Sequence, residues 1–340
     1  MDSIQNGQKP EQNWELNKQK ERRGQGDGNP VLFSPKDLNQ EVFMNSLEKQ
    51  KKRFIVCSLV VPMALLIGFV VFPAFDLIRM SFTNWDGYSQ TYDAIGFGNY
   101  AAMFRNKDLW LSLRNNAVYF FGHLLFIPVE LMFAVLLTSK LKAAKFYKTM
   151  VFMPYIINGV AISYAFSYFF SPINGAFDEI LTVFHLEGFI RNWLSDPKIV
   201  NFVLTFVSLW RFSGYHVILF MAALQSLPQD VQEAARVDGA GAWQMFRYIQ
   251  IPSIMLMVDF VLFDNIRGAL QVFDIPYVMT SGGPGYASST FTLYTIDTAF
   301  KYSNFGLAST MAVAIMVMIV AIYLIQNKII HGIILKGGGK

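Results

Sequence analysis

Four side chains in "DFVLFDNIRGALQVFD" have the types and spacing to do chemistry. Asp264, Arg267, Gln271 and Asp274 stand at i, i+3, i+7 and i+10. On a helix, at about 100° per residue, they share one stripe. Their neighbours are mostly Phe, Val, Leu and Ile. Ionisable groups in so apolar a segment are expensive, and they face a bundle interior or a watery path. One reading is an Asp264–Arg267 ion pair that only orders the bundle. The other is the polar wall of a path, with Gln271 and Asp274 as its better candidates. A second cluster lies in "VLTFVSLWRFSGYHVILFMAALQSLP", which holds Trp210, Arg211, Tyr215 and His216. Aromatic rings beside amide or charged groups suit a solute with apolar C–H faces and hydroxyls, as a sugar has. Tyr215 with Trp210 is a candidate stacking pair, and Asn158 and Tyr164 have similar standing. Ordinary packing competes with each assignment, since Phe alone supplies 32 residues. Arg211, His216 and Arg267 raise a further option, guanidinium forks for an acidic sugar.

Bond-making chemistry has little to work with. The chain has four histidines and one cysteine, without HExxH or CxxC. No metal site and no catalytic residue is expected. Cys57 alone excludes an intrachain disulfide framework. No GxxxxGK[ST] is present, so the chain carries no Walker-type phosphate cradle. Any ATP-driven step then belongs to another polypeptide. The net charge of +4 is mild, and no nucleic-acid partner is expected.

The elements that hold these residues read as membrane spans. Of 340 residues, 53% are hydrophobic and 15% charged, against about 25% charged in soluble domains. The apolar residues fall in about six blocks long enough to cross a bilayer. They lie near 54–78, 117–137, 150–170, 200–224, 254–272 and 305–325. Lys49, Lys51, Lys52 and Arg53 precede the first block. Lys140, Lys142, Lys145 and Lys148 follow the second, and Lys328, Lys336 and Lys340 end the chain. The excess of positive charge in these segments predicts both termini in the cytoplasm. Residues 1–50 are poor in aliphatics and are expected to be a disordered polar cytoplasmic tail. Residues 51–332 form the transmembrane domain, and 333–340 a short cytoplasmic tail.

Between the fourth and fifth blocks lies a polar interruption, 227–252, on the cytoplasmic side. In "SLPQDVQEAARVDGAGAWQMFRYIQIP" Ser226 is a candidate N-cap and Pro228 fits a first helical turn. The helix should end at "VDG", with Gly239 supplying a positive φ. A second short helix, about 242–249, should follow. Ala234 and Ala235 present almost no side chain, so another backbone can approach them closely. Val231, Val237, Trp243 and Phe246 can form an apolar face, with Glu233, Arg236, Asp238 and Arg247 pairing at its rim. Such a hairpin either lies on lipid headgroups or docks a cytoplasmic partner.

This stretch resembles the EAA loop of importer permeases in the ATP-binding cassette superfamily. Glu233, Ala234, Ala235, Asp238, Gly239, Ala240, Trp243, Phe246, Ile249 and Pro252 fall on that pattern. "FDIPYVMTSGGPGYASSTFTLYTIDTAF" and "GFGNYAAMFRNKDLWLSLRNNAVYF" resemble segments of the carbohydrate-uptake branch, the MalF/UgpA-type permeases. The resemblance covers most of residues 54–330 and fails over the first 50. It implies an all-α polytopic protein of the MalF/MetI-like permease fold. It also implies one of two permease subunits, with two ATPase subunits that use ATP and magnesium, and an extracytoplasmic solute-binding protein. Glu233 to Ile249 would couple the permease to the ATPase. The implied location is a bacterial cytoplasmic membrane, among lipid, and the implied solute is a sugar, most simply an oligosaccharide. An acidic oligosaccharide or a glycerol-phosphate-like solute is the alternative. A secondary transporter using the Asp264, Arg267 and Asp274 stripe as an ion relay is a remoter one.

Overall fold

The computed structural model describes residues 35–138 and 142–337. It divides at Pro73 into two units. Residues 1–34, residues 139–141, Lys140 among them, and residues 338–340 lie outside the described ones. Among the described residues the structure is helical, with one isolated bridge, Thr83 to Ala94, and no strand.

In the first unit a helix spans Pro35–Leu66 and passes into a π-helical turn, Ile67–Val71. Of the expected tail, 1–50, the part from Pro35 onward is helical, and the rest lies outside the described residues. Proline suits the first helical turn, where its missing N–H costs nothing. At the other end the last helix runs Phe305–Gly337, so most of the expected C-terminal tail is helical as well. After Gly306 no glycine or proline interrupts it before Gly332.

Four helices are long and apolar enough to cross a membrane: Leu47–Met80, Lys107–Thr138, Val200–Gln225 and Phe305–Ile330. Two bent pairs complete the set. The third span is not the straight run expected near 150–170. Ala144–Ile156 and Gly159–Phe169 meet at 95°. Asn158 makes the corner: its side chain accepts from Val160 N–H at 2.9 Å and caps the second helix. The Asn-Gly pair carried that turn signal in the sequence. The fifth span pairs Ala242–Ser253 with Met255–Thr280 at 71°.

The fifth span has a second irregularity, and it shapes the interior. Helix Met255–Gln271 stops, Val272 and Phe273 leave helical geometry, and a new helix runs Asp274–Thr280. Away from water each freed carbonyl needs a partner. Asn116 Nδ2, from the second span, donates to Ala269 O at 2.5 Å and Leu270 O at 3.4 Å. Thr292 Oγ1 donates to Leu270 O at 3.1 Å, and Thr290 Oγ1 to Val272 O at 2.7 Å. The oxygen of the Asn116 amide accepts from Phe291 N–H at 2.8 Å. Nearby, Asn115 and Asn201 donate to carbonyls of the 281–290 loop and so tie it to the second and fourth spans.

Apolar packing brackets this region. One buried cluster gathers Tyr119, Val203, Val207, Ala269 and Ile275; another gathers Ile127, Val217, Phe220 and Val261. Between them along the second, fourth and fifth spans fall His123, Ser208, Arg211, His216, Asp264 and Arg267. The interior therefore contains a polar layer between two apolar ones.

Asn116→Ala removes both the donor and the acceptor at the interruption. Buried groups left unpaired cost about 1–3 kcal/mol. The variant should melt measurably below wild type in a thermal unfolding assay of the purified membrane complex, and Thr290→Val should do so less.

Candidate functional site

The polar layer opens into a cavity of about 400 Å³. Tyr119 and His123 face it from the second span, and Ser208, Arg211, Phe212 and His216 from the fourth. The fifth span supplies Asp264, Asn265, Arg267, Gln271 and Asp274. Of the residues read from sequence, Arg211, Arg267, Gln271 and Asp274 thus come together. The stripe reading needs one correction. Asp274 lies beyond the interruption, on the next helix, and reaches the cavity by the break rather than by helical period.

Each guanidinium at the cavity has a carboxylate. Arg267 Nη2 meets Asp264 Oδ1 at 2.7 Å, and its Nη1 lies 3.4 Å from Gln271 Oε1. Arg211 Nη1 donates to Asp274 Oδ2. The other oxygen of Asp274 accepts from Ile275 N–H at 3.0 Å. Gly159 makes the Arg211–Asp274 pair sterically feasible, because a Cβ there would occupy the space of both charged groups. The corner of the third span is in this way fitted against the break of the fifth. Two buried polar atoms of the lining, Tyr119 OH and Arg211 Nε, have no protein partner.

Four candidates do not line the cavity. Asn158 is spent on capping the corner. Tyr164 is 57% exposed on the outside of its helix. Trp210 and Tyr215 do not form the expected stacking pair. Trp210 meets Phe166 edge-on, with centroids 5.2 Å apart, while Tyr215 stacks on Tyr155 at 4.6 Å. Residues 210 and 215 are five apart, and on a helix that separation points side chains away from each other.

Sequence reasoning passed over Glu130. Its side chain is fully buried, and His216 Nδ1 lies 3.1 Å from its Oε2. The Nε2 of His216 lies 3.6 Å from Asp264 Oδ2. His123 Nε2 pairs with Ser208 Oγ at 2.9 Å. A signal existed: Glu130 is the lone acid of the second apolar block and follows His123 by seven residues, two helical turns on the same face.

The polar hairpin is built largely as expected. Its first helix spans Gln229–Val237 and closes at Gly239, with φ at +82°. Ala240 N–H reaches Ala235 O at 2.9 Å and Gly239 N–H reaches Arg236 O at 3.1 Å, a Schellman closure. Ser226 is not its N-cap. That side chain turns back to Ala223 O at 2.7 Å, and Pro228 holds the capping position. Gly241 N–H donates to Gln244 Oε1 at 2.8 Å and starts the second helix. That helix goes on through a π-helical turn, Met245–Gln250, to Ser253, well past residue 249. Met245 is buried, and Phe246 packs on the inner apolar cluster. Phe246 therefore anchors the hairpin and is not part of an outer face. Val237 and Trp243 are 87% and 70% exposed. Glu233, Arg236, Asp238 and Arg247 form no ion pair with one another among the described residues, because each points to solvent.

Comparison with known proteins fits this architecture. A family model described as "Binding-protein-dependent transport system inner membrane component" matches residues 44–334. "Probable ABC transporter permease protein YurN" of Bacillus subtilis (strain 168) is 30% identical, over 82% of this chain and 96% of its own length. "Lactose transport system permease protein LacF" of Rhizobium radiobacter is 29% identical, over 77% of this chain and 89% of its own. Among solved structures, a chain of a bacterial transporter involved in the import of the acidic polysaccharide alginate superposes with a TM-score of 0.72. It is 22% identical, with 85% of this chain and 99% of that chain covered.

Gly159→Ala tests the fitted corner. Overpacking of this kind costs about 1–3 kcal/mol, so the Arg211–Asp274 pair should part and transport fall by about tenfold. Tyr164→Ala, outside the cavity, should stay within about twofold of wild type. Uptake by membrane vesicles carrying the assembled transporter reads both.

Proposed function

We propose, for a chain that belongs to the binding-protein-dependent transport system inner membrane components, that it forms half of the translocation pathway of an ATP-driven sugar importer. A second permease subunit would form the other half, and an extracytoplasmic binding protein would deliver the solute. The observation that carries this reading is the cavity at the interrupted fifth span. Broken helices inside a membrane are tolerated where they are buried in protein or line a cavity. In transporters such breaks hold the solute at mid-membrane.

The chemistry of the wall favours a neutral oligosaccharide. Arg211 is matched by Asp274 and Arg267 by Asp264, so no guanidinium is left over for an acidic group. What the wall offers is amide oxygen and nitrogen from Gln271 and Asn265, aromatic surface from Phe212 and Tyr119, and the unpartnered Tyr119 OH and Arg211 Nε. That set suits hydroxyls and C–H faces. The relative named for lactose transport supports the same class. The structural neighbour named for alginate import shares the fold, and its acidic cargo does not carry over at that identity.

Energy would enter through the hairpin, Glu233 to Ile249, on an ATPase subunit that binds ATP and magnesium. It exposes Val231, Val237 and Trp243 along with the small Ala234, a knob that a cleft can grip. Both chain termini and this hairpin would lie on the cytoplasmic side.

The test is uptake by the reconstituted importer with ATP inside the vesicles. Lactose and maltotriose represent neutral sugars, and an alginate trisaccharide the acidic class. ATP-dependent uptake of a neutral sugar without the uronate is expected; the reverse preference would overturn the sugar assignment. In the same system Ala235→Trp should release the ATPase subunits or uncouple their hydrolysis, as a fitted contact loses about 1–3 kcal/mol when overpacked. If the hairpin lies on lipid instead, tryptophan should be neutral there.

A further inference from the structure

A buried chain of charges runs from the second span to the cavity wall. Glu130 is fully buried, and its only polar partner among the described residues is His216. His216 is itself buried, with Glu130 at 3.1 Å from Nδ1 and Asp264 at 3.6 Å from Nε2. Asp264 in turn holds Arg267 at 2.7 Å, and Arg267 reaches toward Gln271. A neutral imidazole donates from one nitrogen only. With a carboxylate facing each nitrogen, imidazolium is the form that satisfies both. A lone buried carboxylate in the membrane is among the most costly groups to keep, and Glu130 touches neither the cavity nor the solvent. The groups facing His216 are Glu130 from the second span and Asp264 from the fifth, with Arg267 beyond Asp264. The ring of Tyr215 lies beside it, and His123, bound to Ser208, also lines the cavity.

We propose that Glu130 is a positioning residue of the cavity: it holds His216 as a cation between two carboxylates, so that Asp264 stays engaged by the protein and Arg267 presents its free edge to the solute. This rests on the cavity being the solute path. Asp264 then divides its charge between His216 and Arg267. Were His216 neutral, Asp264 would bind Arg267 alone, and the wall near Gln271 would lose positive character.

The experiment reads that character without needing the solute. Cys57 is the only cysteine of the chain, so Cys57→Ser with Gln271→Cys leaves one thiol of this chain, at the cavity wall. Vesicles carrying the assembled importer are treated with an anionic sulfonatoethyl or a cationic trimethylammonioethyl methanethiosulfonate. The ratio of the two rates cancels the thiolate fraction and reports local charge. The ratio with Glu130 present is the reference. Glu130→Gln keeps the shape, and at neutral pH should lower the ratio by about threefold, because the imidazolium that is lost lines the cavity while the carboxylate lost with it lies behind the wall. Acidification should raise the ratio to the wild-type value or above, because His216 regains its proton with no carboxylate at position 130 to offset it. The double variant Glu130→Gln with His216→Gln keeps a neutral hydrogen-bonded pair, so it avoids a stranded charge. It should show the low ratio at every pH, without recovery in acid. A wild-type ratio in Glu130→Gln across the pH range would overturn the proposal while leaving the cavity reading intact. Failure of both reagents to reach the Gln271→Cys thiol would overturn the cavity reading itself, and the proposal with it.

Discussion

Where the fifth span stops being a helix, its carbonyls must find partners inside a bilayer, and the rest of the interior is arranged around that need. Three side chains meet it: Asn116 from the second span, Thr290 at the end of the 281–290 loop and Thr292 just past it. Each is buried or half-buried. These bonds hold Val272 and Phe273 out of helical geometry, and that displacement lets Asp274 turn toward the fourth span. Arg211 waits there, and the corner at Gly159 leaves the room both groups need. The cavity is thus a consequence of satisfied hydrogen bonds around a broken helix.

Charge follows the same economy of partners. A membrane interior tolerates ionised groups when they are paired, and the four cavity-lining charges are matched two by two. The pairing leaves amides, aromatic faces and unpartnered donors as the groups with capacity to spare, which suits a polyhydroxylated solute. His216, at the cavity, extends the pairing one layer outward to Glu130, which does not line it.

How much of this was legible in the sequence depends on the distance between partners along the chain. Asp264 and Arg267 are three apart, and their pairing follows from helical geometry alone. The hairpin also reads locally: Pro228, the small alanines and Gly239 each carry their own signal. Arg211 and Asp274 are 63 residues apart, and Glu130 and His216 are 86 apart. Nothing in either segment names the other, so only the packed bundle reveals those pairs. Trp210 and Tyr215 show the converse error, two aromatics near in sequence that the helix directs to different neighbours. The corner at Asn158 lay between these cases. Asn-Gly is a turn signal even in an apolar run, and the hydropathy of the surrounding block masks it. The helical start at Pro35 was hidden similarly by the polar composition around it.

The central claim is that the interrupted fifth span is the wall against which a sugar crosses the membrane. A structure of the assembled importer trapped with its sugar inside tests this most directly. The account predicts sugar density against Arg211, Arg267 and Gln271, with Val272 and Phe273 still non-helical and Asn116 still bonded to Ala269. Sugar bound elsewhere in the membrane, beside a fifth span that runs as one uninterrupted helix, would contradict it.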